Sequence, residues 1–156
     1  GYPAVRIMET NEHYDRQHQD LRTENGRVFG DVLSGVCFDF TAKLTSLNAV
    51  TIAAMAWAPP PPAKTEISGA VKASTTLKWQ RPEGKMAENL AGYRIHWRLT
   101  TEPTWTHSQY VGDVTEFELK NIVIDNYFFG VSSVAKDGFE SPVVFPGPAG
   151  SFGLYK

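Results

Sequence analysis

The residues best suited to chemistry lie in a polar stretch near the start of the sequence. His18 is followed by Asp20 and preceded by Tyr14, and His13 comes just before them. A neutral imidazole is a common zinc ligand, and its second ring nitrogen usually needs an acceptor such as a carboxylate to orient it. The spacing alone also allows a simpler interpretation, because a histidine in a polar loop is usually a solvated side chain.

Other catalytic patterns are excluded by the sequence. Cys37 is the only cysteine and lies within an apolar helical pattern, so we expect an inert helix residue rather than a reactive thiolate. One cysteine also rules out an internal disulfide framework and a cysteine-built zinc site. Residues 31–35 lack the first glycine of a Gly-x-Ser-x-Gly elbow, and no phosphate-binding glycine loop is present.

Charge and hydropathy narrow the range of partners. The 156 residues carry 15 Lys and Arg against 17 Asp and Glu, a net charge of −2. A nearly neutral chain has no electrostatic footprint for nucleic acid or anionic lipid, so we expect no nucleic-acid partner. The apolar run over residues 49–58 is too short to span a bilayer, so we expect no membrane span.

Four consecutive prolines, residues 59–62, divide the chain into two halves of different pattern. Because prolines favour polyproline II and cannot continue a helix, we predict a linker over 59–63 between residues 1–58 and residues 64–156. In the first half, an apolar run predicts a buried strand over Pro3–Met8, and the polar residues 9–26 predict a loop. A stripe at helical spacing then predicts a helix over residues 27–57, whose apolar end should be buried on more than one side. The stripe consists of Phe29, Leu33, Val36, Phe40, Leu44 and Leu47.

One strand and one helix cannot enclose a core. The first half must therefore pack on the second half, associate with another copy, or belong to a larger domain. Association would be a homodimer or a domain swap through the exposed helix and strand.

The second half alternates polar and apolar residues in short runs. These runs are Thr75–Trp79, Tyr93–Trp97, Phe117–Leu119 and Tyr127–Val131, with turn signals at residues 82–84, 112–113 and 137–138. Several short strands with such turns predict a sandwich of two antiparallel sheets. The alternation places five residues in its core: Trp79, Tyr93, Ile95, Tyr127 and Phe129.

Four motifs of this half, in their order, resemble a fibronectin type III domain. They are Leu-Lys-Trp at residues 77–79, Gly-Tyr-Arg-Ile-His-Trp-Arg at 92–98, Leu-Lys-Asn-Ile at 119–122 followed by Tyr127, and Asp-Gly-Phe-Glu-Ser-Pro at 137–142. In that family a tryptophan of the second strand fills the core, and a leucine and a tyrosine lock one sheet edge. The resemblance covers about residues 64–147 and implies a fibronectin type III-like β-sandwich.

The first half resembles the end of the catalytic domain of zinc-dependent exopeptidases, peptidase family M-28. The residues that carry this are Gly1-Tyr2-Pro3-Ala4, His18-Gln19-Asp20 in the following loop, and the long helix after it. The family contains secreted bacterial aminopeptidases and is related to transferrin receptor and glutaminyl cyclase. Some bacterial members carry a fibronectin-type domain directly after a proline stretch, so the two resemblances support each other.

The resemblance implies a metal centre in which two zinc ions activate a water molecule for peptide-bond hydrolysis. It makes His18 a single zinc ligand, Asp20 a candidate to orient its second nitrogen, and Tyr14 a candidate contact to a peptide substrate. It also implies an extracytoplasmic protein, periplasmic or secreted. The expected fold is an α+β fragment, with an orphan strand and a long helix from the end of an α/β zinc exopeptidase domain, followed by an all-β sandwich.

The other metal ligands of that family have no counterpart in this sequence. A catalytic zinc needs three protein ligands and an open position, so one histidine cannot hold it. We therefore expect the chain to be the C-terminal fragment of a parent enzyme, inactive alone and without tightly bound zinc. Its partner would be the missing N-terminal part of the peptidase domain, and the sandwich would be an accessory packing or spacer domain.

The alternative is a non-catalytic module that binds a protein or a polysaccharide. Under this hypothesis Trp97 and Trp105 would stack on a sugar ring from one face of a sheet. A tryptophan near a linker also commonly packs against a neighbouring domain, and both interpretations follow from the sequence. His96 and His107 are expected to be surface residues, because no further ligand stands at metal spacing from them.

Overall fold

The computed structural model describes residues 6–147, and the chain forms two compact units that divide between Asn48 and Ala49. The predicted boundary at the prolines stays a prediction. The structure adds that Pro59 and Pro62 are buried, with Pro59 among the most deeply buried side chains. No helix within residues 6–147 has the length and hydrophobicity that crossing a bilayer requires.

The first unit contains a short antiparallel hairpin in a stretch whose polarity predicts a loop. Strand β1 (Arg22–Glu24) pairs with strand β2 (Arg27–Phe29). Between them Asn25 and Gly26 have φ angles of 49° and 77°, the left-handed conformation that a two-residue hairpin turn requires. The expectation of a loop over residues 9–26 is therefore wrong at its end, where Arg22–Glu24 form a strand.

The predicted first strand is not present where the structure describes it. Pro3 to Val5 lie outside the described residues, and residues 6–8 are irregular and exposed. Ile7 and Met8 are 44% and 50% exposed, so the described end of this run is not buried. No ladder partner is available to it among the described residues, and a strand without a partner cannot satisfy its backbone groups.

Helix α1 (Phe38–Trp57) begins later than predicted. Its predicted first third is occupied by β2 and by a 3-10 helix, Leu33–Gly35, because the Asn25-Gly26 turn commits the residues that follow it to a hairpin. Cys37 therefore precedes the helix rather than lying inside it, and its carbonyl accepts the Thr41 N–H at 3.0 Å. The thiol of Cys37 is free and exposed.

No residue of α1 is buried, which corrects the expectation that its apolar end is enclosed. Val50, Ile52 and Met55 are 68%, 67% and 57% exposed. Burial begins at the next residue, Ala58, where the chain enters the proline stretch. The indole of Trp57 stacks on the ring of Phe139, with a centroid distance of 5.7 Å.

The second unit contains a β-sandwich of two three-stranded sheets, as the alternation predicts. One sheet has the order β3 (Ala63–Ser68), β4 (Thr75–Gln80), β7 (Glu116–Leu119). The other has the order β6 (His107–Gly112), β5 (Leu90–Leu99), β8 (Tyr127–Ala135). All these pairs are antiparallel.

The core lies between the sheets, on the faces that the alternation selects. Trp79, Tyr93, Ile95 and Phe129 are buried, which confirms four of the five predicted core residues, and Tyr127 is half-buried against them. The remaining buried members of this cluster are Leu77, Leu90, Leu119 and Val131. Burial of this apolar surface is the main stabilising term of such a sandwich.

Two connections fix the ends of the strands. Thr75 is fully buried, and its hydroxyl donates to the carbonyl of Ile122 at 2.8 Å, which ties the corner after β7 to the start of the adjacent strand β4. The Asp137-Gly138 turn uses a positive φ of 89° at the glycine. The segment after it pairs with β8 only through the isolated bridges Val134↔Glu140 and Val131↔Val144.

Candidate functional site

Residues 13–18, called the histidine loop from here on, form a compact turn in the first unit. The carbonyl of His13 accepts the backbone N–H of Arg16 at 2.8 Å and that of Gln17 at 3.3 Å. His18 follows with a φ of 50°, a left-handed conformation that is uncommon for a residue with a side chain. The turn thus ends in a change of chain direction at the histidine that the sequence predicts as a zinc ligand.

The hairpin and the loop are joined by Asp15. Its carbonyl accepts the Gly30 N–H at 2.8 Å, and its carboxylate pairs with the guanidinium of Arg27. Gly30 has a φ of 86°, and a Cβ there would lie 2.8 Å from the Leu21 side chain, so only glycine allows this approach. The histidine loop is therefore anchored by both backbone and side-chain contacts.

No hydrogen bond joins the three predicted site residues in the described part of the chain. His18 and Asp20 are exposed. Tyr14 is 71% exposed and lines a cleft of about 290 Å³ with Glu12, His13, Asp15 and Arg27. The roles assigned to His18, Asp20 and Tyr14 therefore stay predictions.

The described residues do not complete a metal site. Within residues 6–147, no group of three or more His, Cys, Asp and Glu side chains is placed to hold a metal ion. His18 presents an accessible imidazole, which suits a single zinc ligand. A zinc centre that includes His18 would need ligands from outside this part of the chain.

Arg16 is a residue that sequence reasoning missed. Its guanidinium lies against Gly35, where a Cβ added to the glycine would be 3.5 Å from both Cζ and Nε. Its Nη1 atom is buried without a hydrogen-bond partner in the described residues. The arginine lines a cleft of about 320 Å³ together with Glu9, His13, Gln17 and Gly35. No sequence signal marks Arg16, because residues distant along the chain create its environment.

A second polar cluster lies on the sandwich, at the outer side of strands β5 and β8. Arg94 Nε donates to Glu140 Oε1 at 2.7 Å, and the buried Ser132 hydroxyl donates to Glu140 Oε2 at 3.2 Å. His96 Nε2 lies 2.9 Å from Ser132 Oγ. Burial lowers the pKa of His96 below its ordinary value of 6.5; the Glu140 charge opposes this, and Arg94 adds to it.

This cluster is not arranged as a catalytic triad. The serine lies between the histidine and the glutamate, whereas a triad needs the imidazole between the hydroxyl and the carboxylate. Ser132 has no exposed surface through which a substrate could reach its oxygen. The arrangement stabilises the strand pair rather than providing a nucleophile. His96 is thus a half-buried residue, which corrects the expectation of a surface position.

The two tryptophans proposed as a sugar platform lie on opposite faces of β5. Trp97 packs against the core cluster and stacks on His107 with ring centroids 5.3 Å apart. Trp105 contacts His96, which points to the other face, at 5.8 Å. One sugar ring cannot stack on both indoles, so the geometric basis of that interpretation is removed.

Comparison with known proteins gives relatives that cover almost the whole chain. No family model matches the sequence. The chain is 40% identical over 149 residues to a "Probable zinc metalloprotease" of the fungus Pyrenophora tritici-repentis, covering 95% of this chain and 30% of the relative. A relative of the same description in Leptosphaeria maculans is 42% identical over 149 residues, covering 95% of this chain and 34% of the relative.

The chain therefore spans about a third of the length of the curated relatives that it matches. Those relatives are named as zinc metalloproteases, which agrees with the metal chemistry expected from the sequence at that coarse level. They are fungal proteins, so the bacterial affiliation of the expected parent stays a prediction, as do its exopeptidase class and secretion.

Solved structures resemble the chain only distantly. A titin module from human cardiac muscle is 24% identical, with a TM-score of 0.45, covering 55% of this chain and 84% of the module. The fn3 domain of the human collagen alpha-1(XX) chain is 18% identical, with a TM-score of 0.45, covering 56% and 81%.

Proposed function

We propose that the chain is the C-terminal part of a secreted zinc-dependent aminopeptidase that hydrolyses peptide bonds. The observation that carries this proposal is the identity of about 40% to probable zinc metalloproteases over 95% of the chain. The proposal assigns the finer class, an exopeptidase of family M-28, from the resemblance of the His18-Gln19-Asp20 loop and the following helix.

In this proposal His18 contributes one zinc ligand to a centre whose other ligands come from the N-terminal part of the parent. The imidazole is exposed, so it is accessible to a metal held by another segment. Asp20 would accept a hydrogen bond from its second ring nitrogen, as a carboxylate commonly does beside a metal-bound histidine. Zinc would supply the polarisation of the scissile carbonyl and the activation of water.

The same proposal gives the exposed helix a partner. The apolar side chains of Val50, Ile52 and Met55 are each more than half exposed. Ile52 and Met55, three residues apart, share one face of the helix, whereas Val50 lies on another face. Exposed apolar residues that lie together often mark a surface that another protein segment covers. We assign the face of Ile52 and Met55 to the missing part of the peptidase domain, and the sandwich to an accessory role.

The decisive experiment compares His18→Ala with His107→Ala in the full-length parent protein. We expect the parent to contain about two zinc ions per chain and the His18 variant to lose zinc and aminopeptidase activity. His107→Ala, an exposed histidine of the second unit that is not assigned as a ligand, should retain both. Equal metal content and activity in the His18 variant would refute the assignment.

A second measurement tests the need for the missing ligands. The 156-residue chain should not hydrolyse an aminoacyl chromogenic substrate with or without added zinc, because one histidine cannot supply the three protein ligands of a catalytic site. Metal-dependent turnover by the purified chain would show that the chain holds a complete site. Secretion is tested separately, by locating the parent protein in culture medium and cell fractions.

A further inference from the structure

Arg16 differs from the other arginines of the histidine loop and hairpin in having no carboxylate partner among the described residues. Arg22 pairs with Glu24 at 2.8 Å, and Arg27 pairs with Asp15. No acceptor within residues 6–147 reaches Arg16 Nη1, although this atom is shielded from solvent. A charged donor that is buried without an acceptor is costly, so this guanidinium has more to gain from an anion than its neighbours.

The unpaired guanidinium borders a cleft rather than the interior of a core. The cleft measures about 320 Å³, and Arg16 shares its wall with His13 and Gln17. All three side chains can donate hydrogen bonds. The turn that hydrogen-bonds to the His13 carbonyl holds the three residues in fixed relative positions.

We propose that this cleft is a carboxylate-binding site, in which Arg16 is the anchoring cation and His13 and Gln17 are auxiliary donors. A planar carboxylate matches the guanidinium fork, and a charge-assisted hydrogen bond is stronger than a neutral one. The ligand class is a small N-acyl amino acid or the C-terminal end of a short peptide. Movement of the guanidinium towards the bound carboxylate would also give Nη1 its missing acceptor.

Glu9 allows a test of whether the ligand of this cleft is negatively charged. It lines the same cleft, is exposed to solvent, and forms no ion pair with Arg16 in the described part of the chain. Its negative charge should oppose a bound carboxylate by Coulomb repulsion. Neutralising Glu9 should therefore strengthen binding, whereas removing the Arg16 charge should weaken it.

The test is a titration of the ¹⁵N-labelled 156-residue chain with N-acetylglycine, followed through the Arg16 Nε–Hε signal by NMR. N-acetylglycinamide, which has the same shape without the charge, is the matched ligand control. We expect a saturable shift with the acid and none with the amide. The assay involves neither zinc nor hydrolysis, so its failure would not bear on the proposed peptidase.

The variants use backbone amide signals of residues 9–17 to report binding. Arg16→Gln should lower the affinity for N-acetylglycine at least about tenfold, the loss expected for one charge-assisted hydrogen bond. Glu9→Gln should raise it about two- to fivefold. Arg22→Gln, which removes a guanidinium that already has a partner, should leave it unchanged.

Arg16→Lys keeps the charge and separates a folding defect from a binding defect. It should retain the spectrum of the folded chain and bind N-acetylglycine with an affinity between those of the unaltered chain and Arg16→Gln. Equal shifts with acid and amide, no saturable shift with the acid, or full affinity in Arg16→Gln would each overturn the proposal.

Discussion

His96 Nε2 lies 2.9 Å from the buried hydroxyl of Ser132, on the strand next to its own. The same hydroxyl donates to Glu140, which is also held by Arg94. A half-buried histidine thus joins a network that connects β5, β8 and the segment after the Asp137-Gly138 turn. Its protonation would introduce a charge where burial disfavours one.

We expect the chain to lose stability in mild acid because of His96. Because its folded-state pKa is below 6.5, the unfolded chain binds the proton more readily. This stabilisation is present above about pH 6.5 and is lost as the pH falls from there towards the folded-state pKa. Denaturant unfolding measured between about pH 5 and pH 7.5 should show this slope.

Two variants test whether His96 causes this pH dependence of the free energy of unfolding. His96→Gln should flatten the pH dependence in this window, because it removes the titrating group. His107→Gln, on the neighbouring strand with its imidazole exposed, should keep it. An unchanged slope in the His96 variant would contradict the assignment.

We expect that adding a single methyl group at Gly130 lowers the free energy of unfolding. A Cβ at this position would collide with Val143 Cγ1 and lie 3.3 Å from Trp105 Cη2. Gly130→Ala should therefore destabilise the sandwich by about 1–3 kcal/mol, measured by chemical denaturation. The double variant Gly130→Ala, Val143→Ala should unfold at higher denaturant than the single variant, and the absence of any recovery would argue against this collision.

We expect the buried hydrogen bond of Thr75 to contribute measurably to the free energy of unfolding. Thr75→Val keeps the shape but leaves the Ile122 carbonyl without the hydroxyl that now donates at 2.8 Å. We expect a loss of about 1–2 kcal/mol in the free energy of unfolding. Thr76→Val, the adjacent position on the opposite face of β4, is the control and should change stability little. Equal effects in both variants would show that β-propensity, not the hydrogen bond, is being measured.

The exposed end of α1 predicts self-association of the chain in the absence of a covering segment. Val50, Ile52 and Met55 present apolar surface to solvent, and such surfaces tend to associate. Light scattering after size-exclusion chromatography should show a mass above that of the 17.3 kDa monomer. Ile52→Lys should shift the equilibrium to monomer, whereas Val71→Lys, at a 98% exposed loop position, should not. A monomer at all concentrations would contradict this prediction.

The sandwich could be predicted because its central strands bury one face. Along β4 and β5 every second side chain enters the core, so alternation is visible in the sequence. Strands β3 and β6 escape prediction because most of their residues are exposed. Strand β8 also lies at a sheet edge but is largely buried, and its alternation is visible in the sequence.

The first unit is harder to predict because local and periodic signals conflict there. Phe29, Leu33 and Val36 have helical spacing, but the Asn25-Gly26 turn closes a hairpin before the helix can begin. Turn chemistry fixes backbone dihedral angles directly, whereas a short apolar periodicity arises readily by chance. Arg16 escapes prediction for a different reason, since its burial depends on Gly35 in the folded unit.

The burial of Pro59 matters to anyone who wishes to prepare the sandwich alone. A recombinant version cut at the start of β3, Ala63, would lack a side chain that is almost completely buried and the adjoining Ala58, which is only 6% exposed. At the other border Gly147 donates its backbone N–H to the Thr65 carbonyl at 2.8 Å. The smallest version that keeps these contacts therefore runs from Ala58 to at least Gly147, with the prolines serving as part of its hydrophobic surface rather than as a removable tether.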